Sequence, residues 1–157
     1  MRRRGFLMTA LGTAALAGCG GGGVVGRSGS TIYGLARSGG LDAFLRAADA
    51  ADLTATLRGE AQITVFAPND RAFAAAGSGL LGSDDLQVRM AYHIVPGAFG
   101  PSAFTGRDVN YTTTAGASVE VDGSGDTLTV GGARVIGEPR VAGNGYLYVI
   151  DRVLDPG

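Results

Sequence analysis

The sequence predicts an α+β domain in which helices come first and a mostly antiparallel sheet follows. Between Thr31 and Gly59, apolar residues recur three and four positions apart, which is the period of an amphipathic helix. A β-branched and aromatic run at residues 62–67 then passes directly into a capped helix. After Gly97 the apolar period changes to two, in short runs separated by glycine-rich turns, as in antiparallel strands.

The amino terminus predicts export and lipid attachment. Residues 1–18 combine arginines, an apolar stretch shorter than the roughly 20 residues of a membrane span, and small residues at its end. Arg3 and Arg4 begin "RRGFLM", which resembles the twin-arginine export pattern RRxFLK except at its last position. The stretch "LAGC" resembles the bacterial lipobox, in which the cysteine receives a diacylglyceryl lipid. We predict a signal peptide at 1–18 and an acylated, palmitate-type anchor on Cys19.

Residues 19–30 predict a lipidated cysteine followed by a glycine- and serine-rich linker. A flexible linker of this length spans on the order of 18 Å, so the domain would lie close to the membrane. Gly20, rather than an aspartate, follows Cys19. This favours an outer-membrane destination in the cell envelope, if the cell has an outer membrane.

The charge of the chain argues against nucleic acid as a partner. All 13 basic residues are arginines, and removal of the leader takes away three of them, which leaves 10 against 14 acidic residues. The mature chain is therefore acidic, without the basic surface that nucleic acid or anionic lipid would require.

The region from Thr31 to Gly59 contains apolar stripes of helical period, for which glycines supply the stops. The stops are Gly39–Gly40 and Gly59, and charged residues fall opposite the apolar stripe. The apolar positions are Ile32, Leu35, Leu41, Phe44, Leu45, Ala48, Leu53 and Leu57.

The strand at residues 62–67, "QITVFA", is followed by Pro68, which cannot donate to a sheet ladder. Asn69 then caps the helix "DRAFAAA", with Asp70 in its first turn and Gly77 at its end. A strand that turns straight into a capped helix is a specific local signal.

A further helix is predicted to begin at a Ser83 cap and to end at Pro96–Gly97. Its apolar face would consist of Leu86, Met90, His93 and Ile94. The strands expected after it are "SVEV", "TLTV", "ARVI" and "YLYVI", separated by "DGSGD", "GG" and "AGNG".

Three of these segments together resemble the signature of the fasciclin domain family. They are "TVFAPNDRAF" at 64–73, "YHIVPG" at 92–97 and "NGYLYVIDRVLDP" at 144–156. The resemblance covers the predicted domain, residues 31–157. It implies a wedge of mostly antiparallel β-strands flanked by α-helices, in a secreted or membrane-anchored adhesion or interaction module.

The resemblance also implies structural roles for motif residues. The family usually has a histidine where this chain has Tyr148, which leaves His93 as the only histidine. We expect His93 to be buried and hydrogen-bonded, because it shares an apolar face with Met90. The resemblance implies that its partner is Asn69 or Asp70, a bond that would clamp the helix to the strand.

Tyr92 and His93 also have a weaker functional interpretation. A Tyr-His pair in animal members of the family has been linked to integrin binding, which makes both residues candidates for direct partner contact. The alternative, which we favour, is that both are core or core-edge residues.

The sequence does not favour an enzyme, a metal site or a cofactor. It has no GxSxG elbow, and Cys19 lies outside the predicted domain. A single histidine is a poor basis for a zinc site. The segment beginning "DGSGD" places Asp122, Ser124 and Asp126 like a calcium loop, but it lacks the required glycine and glutamate, so we predict a hairpin turn.

These observations predict a membrane-tethered extracytoplasmic module that binds a protein or glycan through its domain and the membrane through Cys19. The alternative is a carrier of a lipophilic small molecule such as a carotenoid, because some similar proteins bind carotenoids and a wedge fold could open an apolar cleft.

Overall fold

The computed structural model describes residues 31–156. Cys19, Arg3, Arg4 and the 19–30 linker lie outside the described residues, so the leader, anchor and linker stay predictions. Within the described part of the chain, no helix is long and apolar enough to cross a membrane.

The predicted helices and strands occur in the predicted order, but two strands, at Ile94–Pro96 and Asp108–Thr112, were not predicted. The α-helices are concentrated in the first half of the described chain. The helices are α1 Ile32–Ser38, α2 Asp42–Ala50, α3 Thr54–Arg58, α4 Asp70–Ala76 and α5 Leu86–Ala91. The strands are β1 Ile63–Pro68, β2 Ile94–Pro96, β3 Asp108–Thr112, β4 Ser118–Asp122, β5 Thr129–Val130, β6 Ala133–Ala142 and β7 Gly145–Ile150.

The strands form a seven-stranded sheet in the order β2-β1-β7-β6-β5-β4-β3. Strand β1 pairs with β7 in parallel, and every other neighbouring pair is antiparallel. The α+β class and the mostly antiparallel sheet are thus confirmed. Because β1 and β7 pair in register over six residues, the two most distant family segments lie side by side.

Two hydrophobic cores lie on opposite faces of β1 and β7, because successive side chains of a strand alternate between faces. Val65 and Leu147 pack with the helices in the first core. Phe66 and Tyr148 pack with residues of β4 and β5 in the second core. The sheet is therefore buried on both sides at its centre, and the helices cover only one of them.

The predicted Asn69 cap of α4 is confirmed, but the predicted start of α5 is wrong. Asn69 Oδ1 accepts a hydrogen bond from Ala72 N at 2.8 Å. The Ser83 hydroxyl instead donates to Leu80 O, in the short 3₁₀ segment that precedes the helix. Helix α5 begins at Leu86 without a side-chain cap and ends at Ala91. The predicted end at Pro96–Gly97 is therefore also wrong, because Ile94–Pro96 form strand β2 rather than a last helical turn.

Candidate functional site

The Pro-Asn-Asp turn of the family signature joins three elements. While Asn69 caps α4, its own backbone N–H donates to Ile150 O of β7 at 3.1 Å. Asp70 Oδ1 accepts from the Ala43 N–H at 2.9 Å, one of the amides that have no partner within α2. Both side chains of the turn are thus occupied by helix amides.

His93 is completely buried, and both of its ring nitrogens are hydrogen-bonded to backbone groups. Nδ1 lies 2.7 Å from Arg89 O, and Nε2 accepts from Leu154 N at 2.9 Å. These partners require a neutral ring with its proton on Nδ1. Burial lowers its pKa from 6.5 to about 4, because desolvation disfavours the charged form.

The expected bond from His93 to Asn69 or Asp70 is therefore wrong. The physical reason is that α5 ends at Ala91, which leaves the Arg89 carbonyl near the helix end for the ring to reach. The Leu154 amide occupies the other nitrogen. His93 clamps α5 to the segment that follows β7, rather than to α4.

Tyr92 is also buried, with 8% of its surface exposed. Its hydroxyl donates to Ser118 O at 2.9 Å, and burial together with the nearby Asp155 carboxylate raises its pKa. Direct partner contact by Tyr92 and His93 would require both side chains to leave the core. Their burial favours the core interpretation of this pair.

Tyr148, at the position where the family usually has histidine, belongs to an aromatic cluster in the second core. Its hydroxyl donates to Phe99 O at 2.9 Å, and its ring packs against Phe66 and Phe104. Burial raises the pKa of this hydroxyl well above its ordinary value. The residue is a hydrogen-bonded core aromatic rather than a second imidazole.

A cleft of about 410 Å³ opens beside this cluster, between the β4–β5 loop and an irregularity in β6. The pairing of β6 with β7 shifts between Ile136 and Arg140, so residues 137–139 leave the ladder. Phe104, Leu128, Val135 and Tyr148 give the cleft apolar walls. Its volume falls within the usual range of small-ligand sites.

The other prominent surface is the outward-facing side of the β3–β4 hairpin, which we name the outer hairpin face. Directly opposed pairs there are Asp108 with Asp122 and Asn110 with Glu120. Asp108, Asn110 and Glu120 are exposed, whereas the intervening Val119 and Val121 are buried in the second core. The outer hairpin face thus has three carboxylates.

Strand β3 is the last strand of the sheet, and its outer edge lies partly against β2. Bonds from Thr113 N to Ala117 O and from Gly123 N to Arg107 O show that odd-numbered residues of β3 pair with β4. The even-numbered residues point their backbone groups to the other side. On that side Thr114 N donates to Ile94 O, and β2 contacts β3.

The DGSGD segment forms a turn between β4 and β5, as the sequence predicts. The Asp122 carboxylate accepts from both the amide and the hydroxyl of Ser124, and these bonds lower its pKa. Within residues 31–156, no group of three or more His, Cys, Asp or Glu side chains is arranged to hold a metal ion.

Sequence reasoning missed Asn144, a buried amide that joins three elements. Its Oδ1 accepts from Ile32 N at 2.9 Å, and its Nδ2 donates to Leu57 O and Gly59 O at 3.0 and 2.8 Å. The "NG" pair was interpreted only as a turn signal. An asparagine at the start of a family segment was the available hint.

Comparison with known proteins gives a consistent result. A model of the fasciclin domain matches residues 39–156. The chain is 32% identical over 120 residues to the fasciclin-like arabinogalactan protein elcF of Phaeosphaeria nodorum, covering 76% of this chain and 38% of that protein. It is 34% identical over 117 residues to protein sll1483 of Synechocystis, covering 70% and 64%.

A third relative is the immunogenic protein MPB70 of Mycobacterium bovis, 35% identical over 102 residues, covering 60% of this chain and 50% of that protein. The chain thus spans between 38% and 64% of these relatives. Among solved structures, a FAS1 domain pair from the insect cell adhesion molecule Fasciclin I matches with a TM-score of 0.55 at 21% identity, covering 75% of this chain and 46% of that one. That match concerns the fold.

Proposed function

The chain belongs to the fasciclin domain family, and from this premise we propose that it is an extracytoplasmic binding module held at a membrane by a lipid on Cys19. Domains of this family serve adhesion or binding roles in relatives, typically outside the cell. The partner would be a protein or glycan at the cell surface, and the domain itself would carry out no catalysis.

The observation that supports this proposal is that the polar side chains of the family signature are already hydrogen-bonded within the fold. The imidazole of His93 has both nitrogens bonded and is fully buried, so it offers no lone pair to a substrate. Asn69 and Asp70 are occupied by helix amides. The signature therefore supports a scaffold, and recognition falls to its surface.

Tethering to the membrane would strengthen the binding of such a module to its partners. A lipid restricts the domain to the membrane plane, and the glycine-rich linker lets it turn toward partners on the same surface. Confinement raises the effective concentration of the domain near its partners, so weak contacts bind more tightly without any new contact being made. Stable anchoring needs more than one acyl chain, as processed lipoproteins carry.

Crosslinking on intact cells tests the binding proposal. We expect the anchored chain to give reproducible crosslinked species with envelope proteins or glycans, and we expect a Cys19→Ser chain to give them at much lower yield. Crosslinks absent from both chains would contradict binding at the surface. Equal yields from both would contradict the contribution of the anchor.

A second function, the carriage of a lipophilic small molecule, is favoured by the 410 Å³ cleft. Its apolar walls at Phe104, Leu128 and Val135 would accept part of such a molecule, such as the end ring of a carotenoid. Absorbance and mass spectra of an organic extract of the purified chain test it. A ligand lost in a Leu128→Arg variant would support carriage, and a ligand-free extract from the native host would contradict it.

A further inference from the structure

We infer that the pair Asn144–Gly145 is a site of non-enzymatic deamidation, which the folded domain suppresses and which prevents refolding once it has occurred. This inference does not depend on the proposed binding function. It combines two observations on the same pair, the packing that requires a glycine and the hydrogen bonds that require an asparagine.

The packing requires a glycine after Asn144. Gly145 has a φ of +139°, a backbone conformation that residues with a side chain rarely adopt. It pairs with Ile63 of β1 on one side and with Ala142 of β6 on the other. A Cβ atom at this position would overlap the backbone of Ile63, so a larger residue would separate β7 from β1.

The hydrogen bonds require an asparagine before that glycine. The Asn144 side chain accepts from Ile32 N and donates to Leu57 O and Gly59 O, with only 3% of the residue exposed. Aspartate has a similar shape but, when ionised, no hydrogen to donate. The fold therefore specifies an Asn-Gly pair at the start of β7.

An asparagine followed by glycine is chemically labile, because glycine has no side chain to hinder attack by its backbone nitrogen. Gly145 N bonds to Asn144 Cγ and loses its proton to solvent. The Cγ–Nδ2 bond breaks, and Nδ2 takes up a proton and leaves as ammonia. Water then opens the cyclic imide at either of its two carbonyls, which gives aspartate or isoaspartate without any oxidant or enzyme.

The folded domain opposes this reaction at both reacting groups. Ring closure requires the Asn144 side chain to leave its three partners and turn toward its own backbone. It also requires the backbone at Gly145 to leave its place between β1 and β6. Both movements need this part of the chain to open, so the rate in folded protein is limited by the fraction of opened molecules.

Both products are incompatible with the fold. An aspartate at position 144 would direct acceptor oxygens at the carbonyls of Leu57 and Gly59 and would take a charge out of water. Isoaspartate lengthens the main chain by one carbon directly before β7, against its register with β1 and β6. A single reaction in an unfolded molecule thus makes its unfolding irreversible.

The first test measures conversion in the full chain, kept in nonionic detergent with a thiol reductant at mildly alkaline pH, with and without unfolding urea. Trypsin releases residues 141–152 as a peptide whose only asparagine is Asn144. A gain of about 1 Da in this peptide measures deamidation, since an amide NH₂ becomes a hydroxyl. We expect conversion to be at least about tenfold slower without urea, because only opened molecules react.

The variant Ser124→Asn is the matched control for this rate. It places a second Asn-Gly pair in the β4–β5 turn, where Ser124 and Gly125 are both exposed. The introduced asparagine should convert at similar rates with and without urea, while Asn144 of the same molecules is protected only without it.

The second test measures the consequence for refolding. After partial conversion in urea, the chain is diluted into native buffer, and size-exclusion chromatography separates folded from unfolded molecules. The folded fraction should contain at least about fivefold less converted Asn144 than the unfolded fraction.

Two variants test the product directly. Asn144→Asp should prevent folding or clearly lower the urea midpoint, because it introduces the carboxylate that deamidation would produce. Asn69→Asp makes the same chemical change at the cap of α4, where a carboxylate accepts from the Ala72 amide equally well. It should therefore keep the midpoint of the unchanged chain.

Three results would overturn the inference. Conversion of Asn144 that is equal with and without urea, or absent from both, would show that folding does not protect a labile pair. Equal shares of converted Asn144 in the two refolding fractions would show that the products are compatible with the fold. Equal urea midpoints for Asn144→Asp and Asn69→Asp would show the same.

Discussion

His93 illustrates how one side chain can hold two distant segments together. The ring lies between the end of α5 and the segment after β7, with a backbone partner on each side. Near these bonds, Arg89 pairs with Asp155 at 3.0 Å, an exposed ion pair that adds little by itself. The buried imidazole is therefore the principal polar link at this junction.

Replacing His93 with alanine should strongly destabilise the domain. The variant leaves the Leu154 N–H and the Arg89 carbonyl without their partner and opens a void at a fully buried position. We expect the free energy of unfolding to fall by about 2–4 kcal/mol and the melting temperature by several degrees. Thermal unfolding measures this, and an unchanged melting curve would refute the role.

The same ring should make stability depend on pH. Its pKa is about 4 in the folded domain against an ordinary 6.5, so folding favours the neutral form. The contribution is fully present above pH 6.5 and is lost as pH falls from 6.5 toward 4, about 3 kcal/mol in total. Chemical unfolding at several pH values measures the slope, and His93→Gln should lower that slope by one proton. Equal slopes would contradict the prediction.

The sequence predicted the burial of His93 but not its partners. Its burial was predicted from an apolar helix face, although α5 ends at Ala91 and His93 lies in the turn that follows. Its partners are two backbone groups, which a residue of any type could supply. One of them, at Leu154, lies 61 residues away in the chain. No local pattern encodes that contact, so the turn residues Asn69 and Asp70 were the more visible candidates.

At the scale of elements, Asn144 fixes how the first and third helices meet the sheet. Its side chain bonds the first amide of α1 and two carbonyls at the end of α3, directly before β7 begins. Helix ends otherwise leave such groups unsatisfied. The loss of this one amide would therefore loosen both helices from β7.

Asn144→Ala should lower the free energy of unfolding by about 2–3 kcal/mol, because three backbone groups lose their partner and the site is buried. Asn110→Ala is the matched control, since Asn110 is exposed on β3 and should change stability by less than about 0.5 kcal/mol. Urea unfolding of the two variants compares them. Similar values for both would show that Asn144 is not a structural link.

Elements with local signals were predicted well, and those that depend on distant contacts were not. The β1–α4 unit contains a helix-capping asparagine and a proline that ends the strand, and the β4–β5 turn contains glycines. The sequence therefore predicted both. Helix α5 begins later than Ser83, because that hydroxyl bonds back to Leu80 instead of capping. The parallel pairing of β1 with β7 joins segments about 80 residues apart, beyond the reach of periodicity.

On the scale of the whole molecule, the protein combines a scaffold with two hydrophobic cores, an acidic net charge and a predicted lipid tether. The helices cover one face of the sheet centre, and the second core fills the other. The chain spans only part of its relatives' length, so partners of those proteins do not transfer to it directly. Its own surface, together with the predicted anchor, would determine which partners it contacts.

The most direct test of the central claim is the intact mass of the chain purified from detergent-solubilised membranes of a bacterial host, with Cys19→Ser as control. We expect a mature chain that starts at Cys19 and carries added lipid mass, both absent from the control. A soluble chain with an unmodified thiol would contradict the tether, and with it the mechanism of binding by surface confinement.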